Sequence, residues 1–115
     1  IWLQGSDKYQ AALDAIYESG KKDKILLLTN DAEPAFLELI TNDTLVASAM
    51  QQPFLMGEKA VIFLDKYFNN EEIQKDYKLP VLAISKENIK DNLTLIKRNV
   101  FGIDDKINKK IQSNE

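Results

Sequence analysis

The chain has 115 residues, 44% of them hydrophobic and 29% charged, a balance typical of soluble globular proteins, and at this length one domain is the ceiling. Fifteen Lys and Arg against eighteen Asp and Glu give a net charge of -3 with both signs interleaved, so there is no stripe of cations to displace phosphate counterions and no nucleic-acid surface in this segment. The absence of Cys and His removes thiol nucleophiles, disulfides, imidazole bases and the zinc sites built on them.

Ile1, Trp2 and Leu3 read as the inside of a strand rather than as a charged-then-apolar leader, which predicts that residue 1 is a cut in a longer protein. Gly5 ends that strand, and Ser6 and Asp7 offer side-chain oxygens suited to cap a helix. Tyr9, Ala12, Leu13, Ile16 and Tyr17 then fall three and four apart in one apolar stripe, and Gly20 stands where a helix would stop. Lys21, Lys22 and Lys24 lie close together, but Asp23 interrupts them, which marks a solvated loop.

Ile25 to Leu28 is too short for a helix and reads as a strand buried on both faces, as in a parallel sheet. Pro34 opens a second helix with Phe36, Leu37 and Ile40 on its apolar side, closed by the turn formers Thr41, Asn42 and Asp43. Thr44 to Met50 returns to an extended apolar run. Pro53 then starts a helix whose Met56, Ala60, Phe63, Leu64 and Tyr67 share a face, ended by Asn69 and Asn70.

Glu71 to Lys78 is a polar connection, and Pro80 to Ile84 is a fourth strand with proline at its permitted first position. Ser85 is placed to cap a helix carrying Ile89, Leu93 and Ile96, which runs out near Asn99 and Gly102. From residue 104 to 115 the chain is a charged tail in which Ile107 and Ile111 add at most a helical turn or two. Strand and helix thus alternate four times, which predicts an α/β fold: a parallel sheet with flanking helices and ligand-facing loops at the carboxyl ends of the strands.

Those ends are Gln4 to Asp7, Thr29 to Asp31, Met50 to Gln52, and Ser85 to Glu87. The first three carry Asp, Asn, Gln and Ser, a set of donors and acceptors with little charge. A sugar hydroxyl both donates and accepts, so a carboxylate such as Asp31 suits two neighbouring hydroxyls while a Gln or Asn amide serves their oxygens. Trp2 offers a stacking face, although a tryptophan inside a strand is more commonly core. Each residue also has a structural role open to it: Ser6 as a cap, Asn30 and Asp31 as turn formers, Gln51 and Gln52 as a strand end before Pro53. An Asp7 and Asp31 pair is the sole candidate for glycoside hydrolysis, with no further feature to support it. No phosphate loop, nucleophile elbow or metal cluster is present in the sequence, so neither cofactor nor metal is expected.

From Asn30 to Phe68 the chain resembles the type 1 periplasmic binding proteins, the ribose- and galactose-binding kind, and the ligand-binding domains of lactose-repressor-type regulators. The resemblance rests on the strand end at Asp31, the helix from Pro34 to Ile40, and the turn Asn42-Asp43. Above all it rests on Ala49-Met50-Gln51-Gln52-Pro53 with Met56-Gly57 and Ala60-Val61 after it. Ile1 to Asp7 and Ala11 to Gly20 fit the preceding strand and helix, so the likeness runs from residue 1 to about 90. Ser85 to Phe101 looks like the tail of the autoinducer-binding members.

The resemblance implies one small ligand held between two lobes, with Asp31 and Gln51 at positions that hydrogen-bond the sugar and Asp7 as a third. Gly5-Ser6-Asp7 departs from the family's Asn-Asp or similar acidic pair, so ligand identity does not transfer. It also implies crossings between lobes near Gln51 to Pro53 and near Leu79. Residues 1–51 and 79–103 would then belong mainly to one lobe, and the helix over 53–69 to the other. With no sheet of its own to cover, that helix would leave an isolated fragment to self-associate with a second copy.

The expected function is that of a non-catalytic periplasmic receptor for a sugar or furanosyl ligand. It would serve an ATP-binding-cassette transporter or a membrane sensor kinase, and close by a population shift as ligand contacts both lobes. The alternative is the effector domain of a lactose-repressor-type transcription regulator, which shares these motifs and differs in what precedes Ile1.

Overall fold

The computed structural model describes residues 1–103; the charged tail expected over 104–115 lies outside the described residues. The described chain forms two units, Ile1–Gln51 with Val81–Asn92, and Gln52–Pro80 with the segment from Leu93 on. Within residues 79–103, Val81–Asn92 falls in the first unit, and Leu79, Pro80 and the segment from Leu93 in the second.

The first unit contains strands β1 (Trp2–Leu3), β2 (Leu28–Asn30), β3 (Ala47–Met50) and β4 (Leu82–Ser85), hydrogen-bonded in that order into one sheet. β1 with β2 and β2 with β3 are parallel, with Trp2 opposite Leu28, Thr29 opposite Ser48 and Asn30 opposite Ala49. β4 runs antiparallel to β3, with Met50 opposite Leu82. The reason is topological. The chain leaves the sheet after Met50 and, after the residues of the second unit, re-enters at the same end of β3. A parallel fourth strand would need a crossover that carries the chain back to the opposite end. The fold is α/β with a mostly parallel four-stranded sheet.

Helices α1 (Tyr9–Glu18) and α2 (Pro34–Thr41) join the parallel strands. A single 3-10 turn over Ser6–Lys8 leads into α1, which starts at Tyr9. Gly20, at φ +65°, takes the left-handed position that ends α1, as its place after the apolar stripe predicts. α2 begins with Pro34 in its first turn, where a missing N–H costs nothing.

One face of the sheet carries the core. Leu27, Thr29, Ser48, Met50 and Ile84 are buried, with Phe36 and Ile40 of α2 and Leu13 and Ile16 of α1. The Tyr9 ring meets Phe36 edge-on at 5.0 Å. The expected strand Ile25 to Leu28 lies slightly later in the chain and is buried on one face rather than two, since Leu26 is 66% exposed while Leu27 is 2% exposed. At β4, the turn after Ser85 is closed by Asn88, whose carboxamide accepts from the Ser85 N–H at 2.9 Å and donates to the Ala83 carbonyl at 2.9 Å. These bonds close the turn ahead of the helix, and neither reaches an amide of the helix itself. Helix α4 (Ile89–Leu95) follows, passing into a wider turn over Ile96–Val100.

In the second unit, α3 (Pro53–Phe68) packs against the turn Ile96–Val100. No residue of α3 is buried; Val61 is 67% exposed and Phe68 76% exposed. Phe63 meets Tyr77 of the returning segment edge-on at 5.3 Å. Among the described residues, every strand of the sheet belongs to the first unit.

Phe36, fully buried at the centre of the first unit's core, is expected to lose about 3–5 kcal/mol of stability on truncation to Ala. Urea denaturation of the full-length protein measures this, and a loss below about 1 kcal/mol would mean that the core lies elsewhere.

Candidate functional site

The parallel register brings two of the sequence-predicted residues together. Asn30 pairs with Ala49, so the residues that follow, Asp31 and Met50-Gln51, emerge at one edge of the sheet. The Asp31 N–H donates to the Ala49 carbonyl at 3.0 Å, extending the ladder one residue beyond β2. There the Gln51 carboxamide donates from Nε2 to Asp31 Oδ1 at 3.0 Å. The pair holds itself in place and keeps capacity to spare. Asp31 Oδ2 and Gln51 Oε1 remain acceptors, and Gln51 Nε2 has a second hydrogen to donate.

Asp31 adopts φ +68°, a left-handed conformation that Asp tolerates better than most residues but not for free. Its backbone is tied on both sides of the peptide. Besides the N–H bond to Ala49, its carbonyl accepts from Ser48 Oγ at 2.6 Å. Ser48 in turn accepts from Thr29 Oγ1 at 3.0 Å, and both hydroxyls are buried, each 2% exposed. Ser48 was not among the sequence candidates, and Thr29 only as the first residue of its strand end. The available signal was period two: Ser48 and Met50 share the face that Thr29 continues on β2, so a polar pair lies cross-strand inside an apolar layer.

Asp7 lies after β1 on the same edge of the sheet and is exposed, and no hydrogen bond joins it to Asp31 or Gln51. Trp2 is 71% exposed and donates its indole N–H to Asn30 Oδ1 at 3.1 Å, so its place is not the core. In the first unit a hollow of about 210 Å³ opens at the opposite ends of the strands, between α1 and the residues that enter β2 and β3, including Leu13, Ile25, Leu26 and Thr44.

Gln52, expected with Gln51 at the strand end, is buried at 3% exposed within the second unit. Its Nε2 donates to the Pro80 carbonyl at 2.8 Å, and its Oε1 accepts from Asn99 Nδ2 at 2.7 Å. Adjacent glutamines therefore do different work. Gln51 is exposed and faces Asp31, whereas Gln52 joins three stretches of the second unit. Among the described residues no group of acidic side chains is arranged to hold a metal ion, and no helix is long and apolar enough to cross a membrane.

No protein-family model matches this sequence, and no curated protein does. Solved structures do. A solute-binding protein of an ABC transporter from Agrobacterium vitis, with D-fucose bound, matches with a TM-score of 0.72 and 27% identity over 87% of this chain and 33% of its own. A periplasmic solute-binding protein of an ABC transporter from Actinobacillus succinogenes, with D-allose bound, matches with a TM-score of 0.70 and 21% identity over 78% of this chain and 32% of its own. A glucose-galactose binding protein from Geobacillus stearothermophilus matches with a TM-score of 0.68 and 16% identity over 76% of this chain and 31% of its own. The fold is that of the type 1 periplasmic sugar-binding proteins, with the sheet and its helices matching one lobe. The chain spans about a third of the length of the structures it matches.

Replacing Gln52 with Leu leaves Asn99 Nδ2 and the Pro80 carbonyl without their partner. Pro80 is exposed and Asn99 half-buried, so water can reach both groups, and the expected loss is about 0.5–1.5 kcal/mol for each bond. Denaturant titration checks it, and an unchanged midpoint would show that both groups find other partners.

Proposed function

We propose that this chain forms part of a non-catalytic receptor for a sugar or sugar-like polar ligand, and that the Asp31–Gln51 edge is where it touches that ligand. One observation carries the proposal. A carboxylate and a carboxamide, already hydrogen-bonded to each other at 3.0 Å, stand at the carboxyl ends of two adjacent parallel strands with acceptors and a donor unspent. Ligands of open α/β sheets gather at that edge. Hydroxyls arranged around a sugar ring need both kinds of partner, and a pre-set pair loses little side-chain entropy on binding them.

The kinship with ABC-transporter proteins that hold D-fucose and D-allose supports a sugar ligand and a transporter as the downstream partner. It favours that reading over a transcription regulator, and it supports a periplasmic location. Asp7, exposed on the same edge, is proposed as a third, more peripheral contact. In the full-length protein the ligand would be gripped by both lobes, with the helix over 53–69 on the second of them, and the closed form would be what a transporter or sensor reads.

In the full-length protein, Asp31→Ala should weaken binding of the sugar by about 1.5–3 kcal/mol, the range for a hydrogen bond to a charged group. Gln51→Ala should cost about 0.5–1.5 kcal/mol. Calorimetric titration with D-fucose, D-allose, D-glucose and D-galactose measures both. Equal affinities in wild type and the two variants would remove the pair from the site. Absence of any sugar-induced rise in melting temperature across that panel would count against a sugar ligand altogether.

A further inference from the structure

We infer that Ser48 is a positioning residue for ligand binding, acting on Asp31 through the Asp31 main chain. The inference rests on the proposal that Asp31 is a ligand contact.

Asp31 has to leave β2 in a left-handed turn, φ +68°, for its side chain to meet Gln51. That conformation is uphill for a residue with a Cβ and persists where the surroundings over-determine it. The determinants are both on β3. The Ala49 carbonyl takes the Asp31 N–H at 3.0 Å, and Ser48 Oγ donates to the Asp31 carbonyl at 2.6 Å. Ser48 has a second possible acceptor, the Thr29 carbonyl, but at 3.3 Å it is the poorer one. What directs the hydroxyl outward to Asp31 is Thr29 itself. Its Oγ1–H donates to Ser48 Oγ at 3.0 Å, occupying a lone pair and leaving the Ser48 proton free for Asp31.

The result is a one-way relay, Thr29 to Ser48 to the Asp31 carbonyl, running from the buried face of the sheet to the exposed edge. Thr29 and Ser48 are each 2% exposed and the bond between them is buried, so water does not compete for it, while the Ser48–Asp31 bond is part-buried. A purely structural serine at this site would satisfy its neighbours without consequence for the ligand. This one closes on the peptide whose dihedral angle aims the carboxylate.

The test uses the full-length protein with D-fucose and D-allose as probes. Ser48→Ala should raise Kd roughly three- to tenfold, the effect of one net hydrogen bond. Ser48→Thr, which retains the hydroxyl, should recover most of the loss. In an Asp31→Ala background, Ser48→Ala should add nothing further, because the group it aims is gone. Thr29→Val removes the directing donor at nearly constant shape and should give a smaller rise in Kd of the same kind. Without any ligand, the side-chain amide resonances of Gln51 should shift in Ser48→Ala, reporting a displaced Asp31 carboxylate. If Ser48→Ala does not fold, Ser48→Cys keeps the volume with a poor donor and gives the same comparison.

A lowered melting temperature with unchanged Kd and unchanged Gln51 resonances would overturn the inference and leave the site intact. Unchanged Kd in Asp31→Ala would overturn the site and this inference with it.

Discussion

The parallel pairing of β2 with β3 is the constraint on which the rest depends. Its register, Asn30 against Ala49, determines that Asp31 and Gln51 leave the sheet side by side. A slip of one residue would turn Thr29 and Ser48 out of the buried layer and separate carboxylate from carboxamide. The register is defended by burial: Thr29, Ser48 and Met50 lie on the same face as Leu27 and Ile84, against Phe36 and Ile40. Packing energy far from the edge therefore fixes geometry at the edge.

The single antiparallel pair does not disturb this arrangement. It joins β3 to β4, on the far side of β3 from Asp31, and follows from the chain returning at the end of β3 from which it left. Indeed the same detour sets Gln51 and Gln52 on different tasks. One residue completes the sheet edge; the next is itself buried and bonds to Pro80 and Asn99 in the second unit.

Much of this was legible in the residues. The apolar stripe from Tyr9 to Tyr17, Gly20 at its end, and Pro34 and Pro53 at helix starts all mark real features because each reflects a local steric or hydrogen-bonding rule. The likeness to periplasmic sugar-binding proteins, carried by Asp31 and the stretch Ala49 to Pro53, matches the fold of the solved structures. What was not legible depends on which strands pair and in which direction. Nothing in Pro80 to Ile84 declares an antiparallel strand, since direction is decided by where a chain re-enters a sheet. The buried hydroxyls of Thr29 and Ser48 read as ordinary strand residues until register sets them opposite each other. The turn after β4 is another case: the Asn88 carboxamide closes it on the Ser85 N–H and the Ala83 carbonyl, a pairing visible only once the chain has turned.

The central claim is that the Asp31–Gln51 pair is built to be touched by a ligand. A crystal structure of the full-length protein, grown with the sugar that raises its melting temperature most, tests this directly. The expected result is ligand hydroxyls within about 2.6–3.1 Å of both the Asp31 carboxylate and the Gln51 carboxamide. A sugar bound elsewhere, with both side chains still facing solvent, would contradict it.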